Sequence, residues 1–219
     1  MSRSRFTANK TVPLLILVLL SACAGPASVH DIASAREVAP QDARYALKPD
    51  RSLIVFMRAS AGLGRDAAVF DVTDGSPVFI AAIPRMSKFA HHAKPGTRRY
   101  MVVGLSNADF LTANLDPGKA YYSLVSPSWG DRFWFRAFRA RGPYDKSNLQ
   151  FDTPRFPGWY DQSKWVENVA TPPESERVGA YMSSVRKMMN RWRPIWQQRP
   201  DKPALEPVDG QSNLYRVGR

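Results

Sequence analysis

Between residues 51 and 141 the chain repeats one pattern: a short run of apolar, β-branched and aromatic residues, then Gly or Pro. The runs cover 52–58 (SLIVFMR), 67–73 (AAVFDVT), 78–83, 86–93, 97–103, 110–115, 119–126 (KAYYSLVS) and 132–139 (RFWFRAFR). Gly62 and Gly64, Asp74-Gly75, Pro84, Lys94-Pro95-Gly96 and Asp116-Pro117-Gly118 close them. Such runs are too short for stable helices and rich in strand formers, so they predict strands. Pro at the second turn position and Gly at the third suit a type II turn, because Gly takes a positive φ at little cost. Strands recurring about every ten residues predict a mainly β fold, an antiparallel β-sandwich over 51–141. The last run alternates, with Phe133, Phe135 and Ala137 on one face and Arg132, Trp134, Arg136 and Phe138 on the other. Trp134 and Phe138 then need cover, from a C-terminal helix or from the segment 142–160, since large apolar patches are seldom left bare.

Upstream lies a different texture. Arg3, Arg5 and Lys10 precede an apolar block over 12–20, then Ser21, Ala22 and Cys23. A basic lead, a short apolar core and small residues at the cut predict a secretory signal peptide over 1–22. The block is far shorter than the ~20 residues of a membrane-spanning helix. Leu20-Ser21-Ala22-Cys23 resembles the lipobox of bacterial lipoproteins. That resemblance implies a diacylglycerol on the thiol of Cys23, cleavage before it, and acylation (palmitate and similar chains) of the new amino group. Two chains are what stable anchoring requires, since one alone binds a bilayer marginally. Ala24, where Asp favours inner-membrane retention in enterobacterial lipoproteins, implies the outer membrane, on its periplasmic face.

Cys23 is the single cysteine. With it spent on lipid, neither a disulfide nor cysteine catalysis is open to the mature chain, and the core alone must hold the fold. Residues 23–50 read as the acylated Cys and a flexible Ala/Ser/Pro-rich tether of about 25 Å average span. Loss of the leader's three cations lowers the net charge from +12 to +9. Such a basic body suits anionic envelope material, a glycolipid or polysaccharide, and a secreted location makes nucleic acid an unexpected partner.

Ile54-Val55-Phe56-Met57-Arg58, Lys94-Pro95-Gly96 and Leu115-Asp116-Pro117-Gly118-Lys119-Ala120-Tyr121-Tyr122 together resemble a class of small bacterial lipoprotein domains of unknown function. The likeness covers about 75 residues, from Leu53 to Ser126. It implies a β-sandwich of the transthyretin-like or carboxypeptidase-regulatory kind, a hairpin at the Pro-Gly-Lys segment, and no assigned catalytic residues. His91-His92 and the long C-terminal extension depart from it.

Residues 142–170 form a Pro/Gly/aromatic-rich connection, with a short helix expected over 159–168. A C-terminal helix is expected over 171–199. Thr171-Pro172-Pro173-Glu174 supplies a cap, first-turn prolines and a capping-box acid. Val178, Tyr181, Met182, Val185, Met188, Met189, Trp192, Ile195 and Trp196 share one face at spacings of three and four; Arg177, Arg186, Lys187, Arg191 and Arg193 occupy the other. That apolar stripe is expected to pack on the chain's own core, with membrane or partner contact through the basic face as the alternative. Pro194 should end or kink the helix near Trp192, and Pro200, Pro203 and Pro207 predict an extended tail over 200–219.

Few residues suggest chemistry. His91 and His92 point to opposite faces of a strand and have no neighbouring ligands in sequence, so they read as a surface or edge-strand pair rather than a metal site. No G-x-S-x-G elbow is present, and Gly62-Leu63-Gly64 opens no phosphate-binding helix. The chain is therefore expected to be a non-catalytic binding or scaffolding lipoprotein without cofactor or metal. Its partners would be the membrane through Cys23 and an envelope protein or anionic glycolipid. An envelope hydrolase with an unrecognised site is the enzymatic alternative.

Overall fold

The computed structural model describes residues 27–39, 45–60, 65–142, 145–170 and 176–215. The leader, Cys23, Gly62, Gly64 and the helix opening at 171–174 lie outside the described residues. The chain is mainly β with two helices. A 3-10 turn at Val29–Asp31 leads into β1 (Ala33–Glu37), β2 (Ser52–Arg58), β3 (Ala67–Asp71), β4 (Val78–Ile83) and β5 (Ser87–Ala93). Then come β6 (Gly96–Val103), β7 (Ala108–Leu115), β8 (Ala120–Ser128), β9 (Arg132–Arg139) and β10 (Asn148–Gln150). Helix α1 (Arg155–Gln162), β11 (Lys164–Ala170), α2 (Glu176–Gln197) and β12 (Ala204–Leu205) complete the order.

The strands form a seven-stranded sheet, β1-β11-β5-β2-β8-β9-β10, and a five-stranded sheet, β12-β7-β6-β3-β4. Both are mixed. β2 runs parallel to β8, β11 to β5, β10 to β9 and β12 to β7. The wholly antiparallel arrangement expected from the tight turns is thus corrected, and the physical reason is clearest after β7. Asp116-Pro117-Gly118 does turn tightly, with Gly118 at φ 70°. It delivers β8 to the other sheet, beside β2, and the expected hairpin is not formed. The corner is pinned by the Asp116 N–H, which donates to the Tyr121 hydroxyl at 2.8 Å.

Three apolar layers follow from this arrangement. Ile54, Phe56, Val69, Tyr100, Leu111, Phe133 and Phe135 meet between the sheets. On the outer face of the five-stranded sheet, Phe70, Met101 and Phe110 receive Tyr181, Val185, Met189 and Trp196 of α2. Leu53, Val55, Met57, Tyr122 and Phe138 receive Phe156 and Tyr160 of α1 on the other side. β2 is buried on both faces, which is why its sequence is a continuous apolar run without alternation. The stripe on α2 meets the protein's own core, as its period predicts.

Other expectations are revised. Residues 33–37, placed in the tether, pair with β11 as an edge strand. They carry almost no apolar signal; the ladder and the pairs Arg36–Glu167 and Lys164–Glu37 (2.9 Å) hold them. The 142–170 connection supplies β10, α1 and β11 to the body. Its helix lies earlier than expected, because Trp165 and Val166 are buried in the strand β11. The expected extended tail is also built in. Leu205 is buried in the central core, and Asp209, fully buried, accepts the N–H of Ala140 (2.8 Å) and of Glu206 (2.7 Å). Helix α2 continues past Pro194 to Gln197. Proline there removes one bond close to the helix end, while Trp196 is clamped against Phe110 with ring centroids 5.6 Å apart. Among the described residues no helix is long and apolar enough to cross a membrane.

Gly104 marks the tightest point of the frame. A Cβ there would lie 2.3 Å from the carbonyl oxygen of Asp131 and 2.6 Å from Oδ1 of Asn107. The carbonyl is backbone and already accepts the Leu105 N–H at 2.9 Å. Gly104→Ala is expected to cost about 2 kcal/mol by overpacking, read as a lower urea midpoint at unchanged m-value. An unchanged midpoint would refute the tight approach.

Candidate functional site

The site grows from an unfinished sheet edge. Over its first half β9 has β8 on one side, and β10 joins the other side only from Ala137 onward. Exposed ladder groups in such a gap must find partners. Side chains at the head of β7, Asn107 just before it and Asp109 within it, provide them. Asn107 Nδ2 donates to the Phe133 carbonyl (2.7 Å), and its Oδ1 accepts the Phe133 N–H (3.0 Å). Asp109 Oδ2 accepts the Phe135 N–H at 2.8 Å. The two-residue period of both strands makes this comb possible. It also draws Asp109 inside, to 1% exposure.

The second oxygen of Asp109 accepts Nη1 of Arg199 at 2.8 Å. Arg199 further donates Nη2 to Ser147 Oγ (2.9 Å) and Nε to Asp201 (3.3 Å), and lies 5.3 Å from the ring centre of Trp134. Burial pushes the Asp109 carboxyl up to about 6, with the Arg199 charge and the N–H groups of Phe135 and Phe110 opposing it. The bond from Arg199 holds Asp201 below its ordinary range.

Between this cluster and the end of α2 opens a pocket of about 520 Å³. Trp134 and Arg136 of β9, residues 126–128, and Trp192, Ile195 and Trp196 of α2 line it together with Asp109, Lys146, Ser147, Arg199 and Asp201. Its polar character is donor-rich. The indole N–H groups of Trp192 and Trp196 and Nε of Arg136 are buried without a hydrogen-bond partner. Both lining carboxylates, Asp109 and Asp201, are engaged by Arg199. Indole faces beside guanidinium groups suit a ligand with acceptor oxygens and an apolar or ring-shaped body.

The aromatics of β9 and of the segments around it therefore divide. Phe138 is covered by Phe156 of α1, whereas Trp134 lines the pocket with Arg199 over its ring and the end of α2 across the opening. Phe156 and Tyr160 join the cluster under α1, and Trp129 is 95% exposed. Arg186, Lys187 and Arg191 stay exposed on the outer face of α2. Sequence reasoning missed Asp109, Ser147, Arg199 and Asp201. The alternating polar pair Asn107 and Asp109 at the head of an apolar strand was the available signal; Arg199, the last residue of the expected helix over 171–199, carries none.

His91 and His92 lie outside the pocket. β5 pairs with β2 along its length, while β11 covers its other side only at Ser87 and Lys88, so the two half-buried histidines sit on the part of β5 that keeps an open edge. His91 meets Tyr100 edge-on at 6.2 Å between the sheets. Burial pushes its imidazole down to about 4, with Asp71 opposing and His92 and Arg98 adding to the shift. The folded protein therefore keeps His91 neutral where the unfolded chain takes up a proton, and the contribution of this group to stability falls as pH drops from about 6.5 to about 4. His91→Gln is expected to remove on the order of 2 kcal/mol of that loss, read as urea unfolding at pH 7 and 4.5; an unchanged pH slope would refute it.

No family model and no curated protein matches the chain. Among solved structures it is similar to a protein from Eubacterium rectale determined by NMR, at 12% identity and a TM-score of 0.28. The match covers 49% of this chain and 100% of that one, and is too slight to carry an activity across.

Proposed function

We propose that the chain is a lipid-anchored, non-catalytic binding module of a bacterial envelope, held at the periplasmic face of the outer membrane by acyl chains on Cys23. The pocket between α2 and β9 receives an anionic saccharide or glycolipid head. The observation that carries the ligand reading is the convergence of Trp134, Trp192, Arg136 and Arg199 on one opening whose acids are already paired. The lipobox and the basic composition support the location. The finer fold assignment, a β-sandwich of the transthyretin-like or carboxypeptidase-regulatory kind, is supported by the face-to-face sheets and the Tyr121–Asp116 corner. On this reading the parallel pairings, such as β2 with β8, are additions to that scaffold.

Two measurements test this. A palmitate analogue should label the wild type and not Cys23→Ser; label persisting on the variant would refute the anchor. Titration of tryptophan emission with an acidic oligosaccharide should show salt-sensitive binding. Arg136→Ala should weaken it about tenfold, the value of one charge-assisted hydrogen bond. Equal binding by wild type and variant would remove the pocket from the account.

A further inference from the structure

One end of the paired sheets carries an apolar point that the fold does not use. Trp129 sits at the tip of the β8–β9 hairpin, 95% exposed. Gly130 and Asp131 beside it hold positive φ values of 74° and 53°. A non-glycine residue at positive φ is uncommon and needs support. The support is the neighbouring β6–β7 turn, where the Leu105 N–H donates to the Asp131 carbonyl at 2.9 Å. Leu105 is itself 58% exposed. The backbone bond thus ties together two neighbouring turns, each of which exposes one large apolar side chain, Trp129 and Leu105. Arg65 before β3, Arg85 between β4 and β5, and Arg132 at the start of β9 are all exposed at this same end.

The N-terminal segment reaches the same end. His30 pairs with Asp66 at 3.9 Å. Asp66 precedes β3, whose Ala68 is registered with Val103, two residues before Leu105. Cys23 is four residues before Ala27, so its sulfur-bearing residue lies within about 14 Å of Ala27 even with the link fully extended. Any bilayer holding its acyl chains is then close to this end of the body.

We infer that the Trp129–Leu105 tip inserts into the headgroup region of the anionic bilayer that holds Cys23, making a second contact that fixes how the domain stands on the membrane. The inference rests on the lipid-anchor reading. Tryptophan favours this interface because its ring is apolar and its N–H polar, and the three arginines supply attraction to anionic headgroups. With two contacts the domain cannot swivel freely, and the pocket keeps one orientation to the membrane.

The test uses the mature full-length chain in phosphatidylethanolamine–phosphatidylglycerol vesicles containing lipids brominated near the headgroup. Trp129 packs on nothing, so Trp129→Ala should unfold at the wild-type urea midpoint. Wild-type emission should be quenched, and the quenched component should fall by at least half in Trp129→Ala. If the chain is vesicle-bound and labelled at Cys23 but both proteins quench alike, or neither does, the tip inference is overturned and the anchor stands. If Cys23 carries no lipid, the anchor reading falls. The same vesicles mixed with the unlipidated chain then decide the tip: quenching specific to Trp129 sustains it, and absence of quenching overturns it.

Discussion

Phe156→Ala is expected to remove about 4 kcal/mol of stability, the upper part of the range for deleting a buried aromatic ring. Phe156 is 1% exposed. Its ring centre lies 4.8 Å from Phe138, 4.9 Å from Tyr215, 5.0 Å from Phe151, 5.4 Å from Tyr122 and 6.0 Å from Tyr160. Those rings come from β8, β9, the turn after β10, α1 and the C-terminal segment, so one side chain joins elements from three stretches of sequence. The neighbours are rigid and cannot collapse into the space, which places the cavity cost at the high end. Besides Phe156, helix α1 is held by buried Tyr160 and by the Lys88 ammonium at its C-terminal end. It contains Pro157 and Gly158 within its eight residues and has no side-chain cap bond. The truncation should lower the urea midpoint of unfolding, and Phe156→Leu should recover more than half of the loss. A loss below about 1 kcal/mol for the alanine variant would mean that the ring cluster is not what binds α1 to the sheet.

The same cluster shows what could be read from residues alone. β2, β4 and β9 fall at their expected bounds, because apolar runs broken by Gly, Pro and Asp-Gly define strands locally. β1 was unreadable for the converse reason: ASARE has a single buried side chain, Ala33, and depends on a partner 131 residues away through Arg36 and Glu167. α1 was displaced in the reading because Pro157 and Gly158 argue locally against a helix, and only the tertiary burial of Phe156 and Tyr160, four apart, overrides them. Lys88 carries the same lesson. A lysine in a strand reads as solvent-facing, yet its ammonium donates to the carbonyls of Tyr160 (2.5 Å) and Ser163 (2.6 Å), 4.0 Å from the centre of the Tyr160 ring. Burial pushes it down to about 8, with Asp161 opposing. Strand direction was lost altogether, since a period of two tells which face is buried and never which neighbour lies alongside. Trp134 and Arg136 share a strand face and Trp192 and Trp196 a helix face in the sequence, but nothing local joins the two faces into a pocket. Its acids and Arg199 were not legible either, because an ion pair spanning 90 residues leaves no local trace.

Asp109 and Arg199 should then be the most costly polar pair to break. Asp109→Ala leaves the Phe135 N–H and a partly buried guanidinium without their acceptor, and about 3 kcal/mol should be lost. Asp109→Asn keeps an acceptor for Phe135 and should cost less than half as much. A double-mutant cycle with Arg199→Met would return a coupling of 1 kcal/mol or more if the pair acts as a unit; additive losses would refute it. The pH dependence separates charge from shape. Because the folded carboxyl is raised to about 6 from its ordinary 3.8, the folded state holds the extra proton between those values. Acidification across that window therefore adds stability from this group, on the order of 2 kcal/mol. His91 works in the opposite direction over nearly the same range, since its folded value is lowered to about 4. The wild type should consequently show a flat profile between pH 6.5 and 4. His91→Gln, which leaves Asp109 alone, should become more stable as pH falls, and Asp109→Asn, which leaves His91 alone, should become less stable. Two variants that bend the same way would show that at least one of these buried groups does not titrate as its surroundings require.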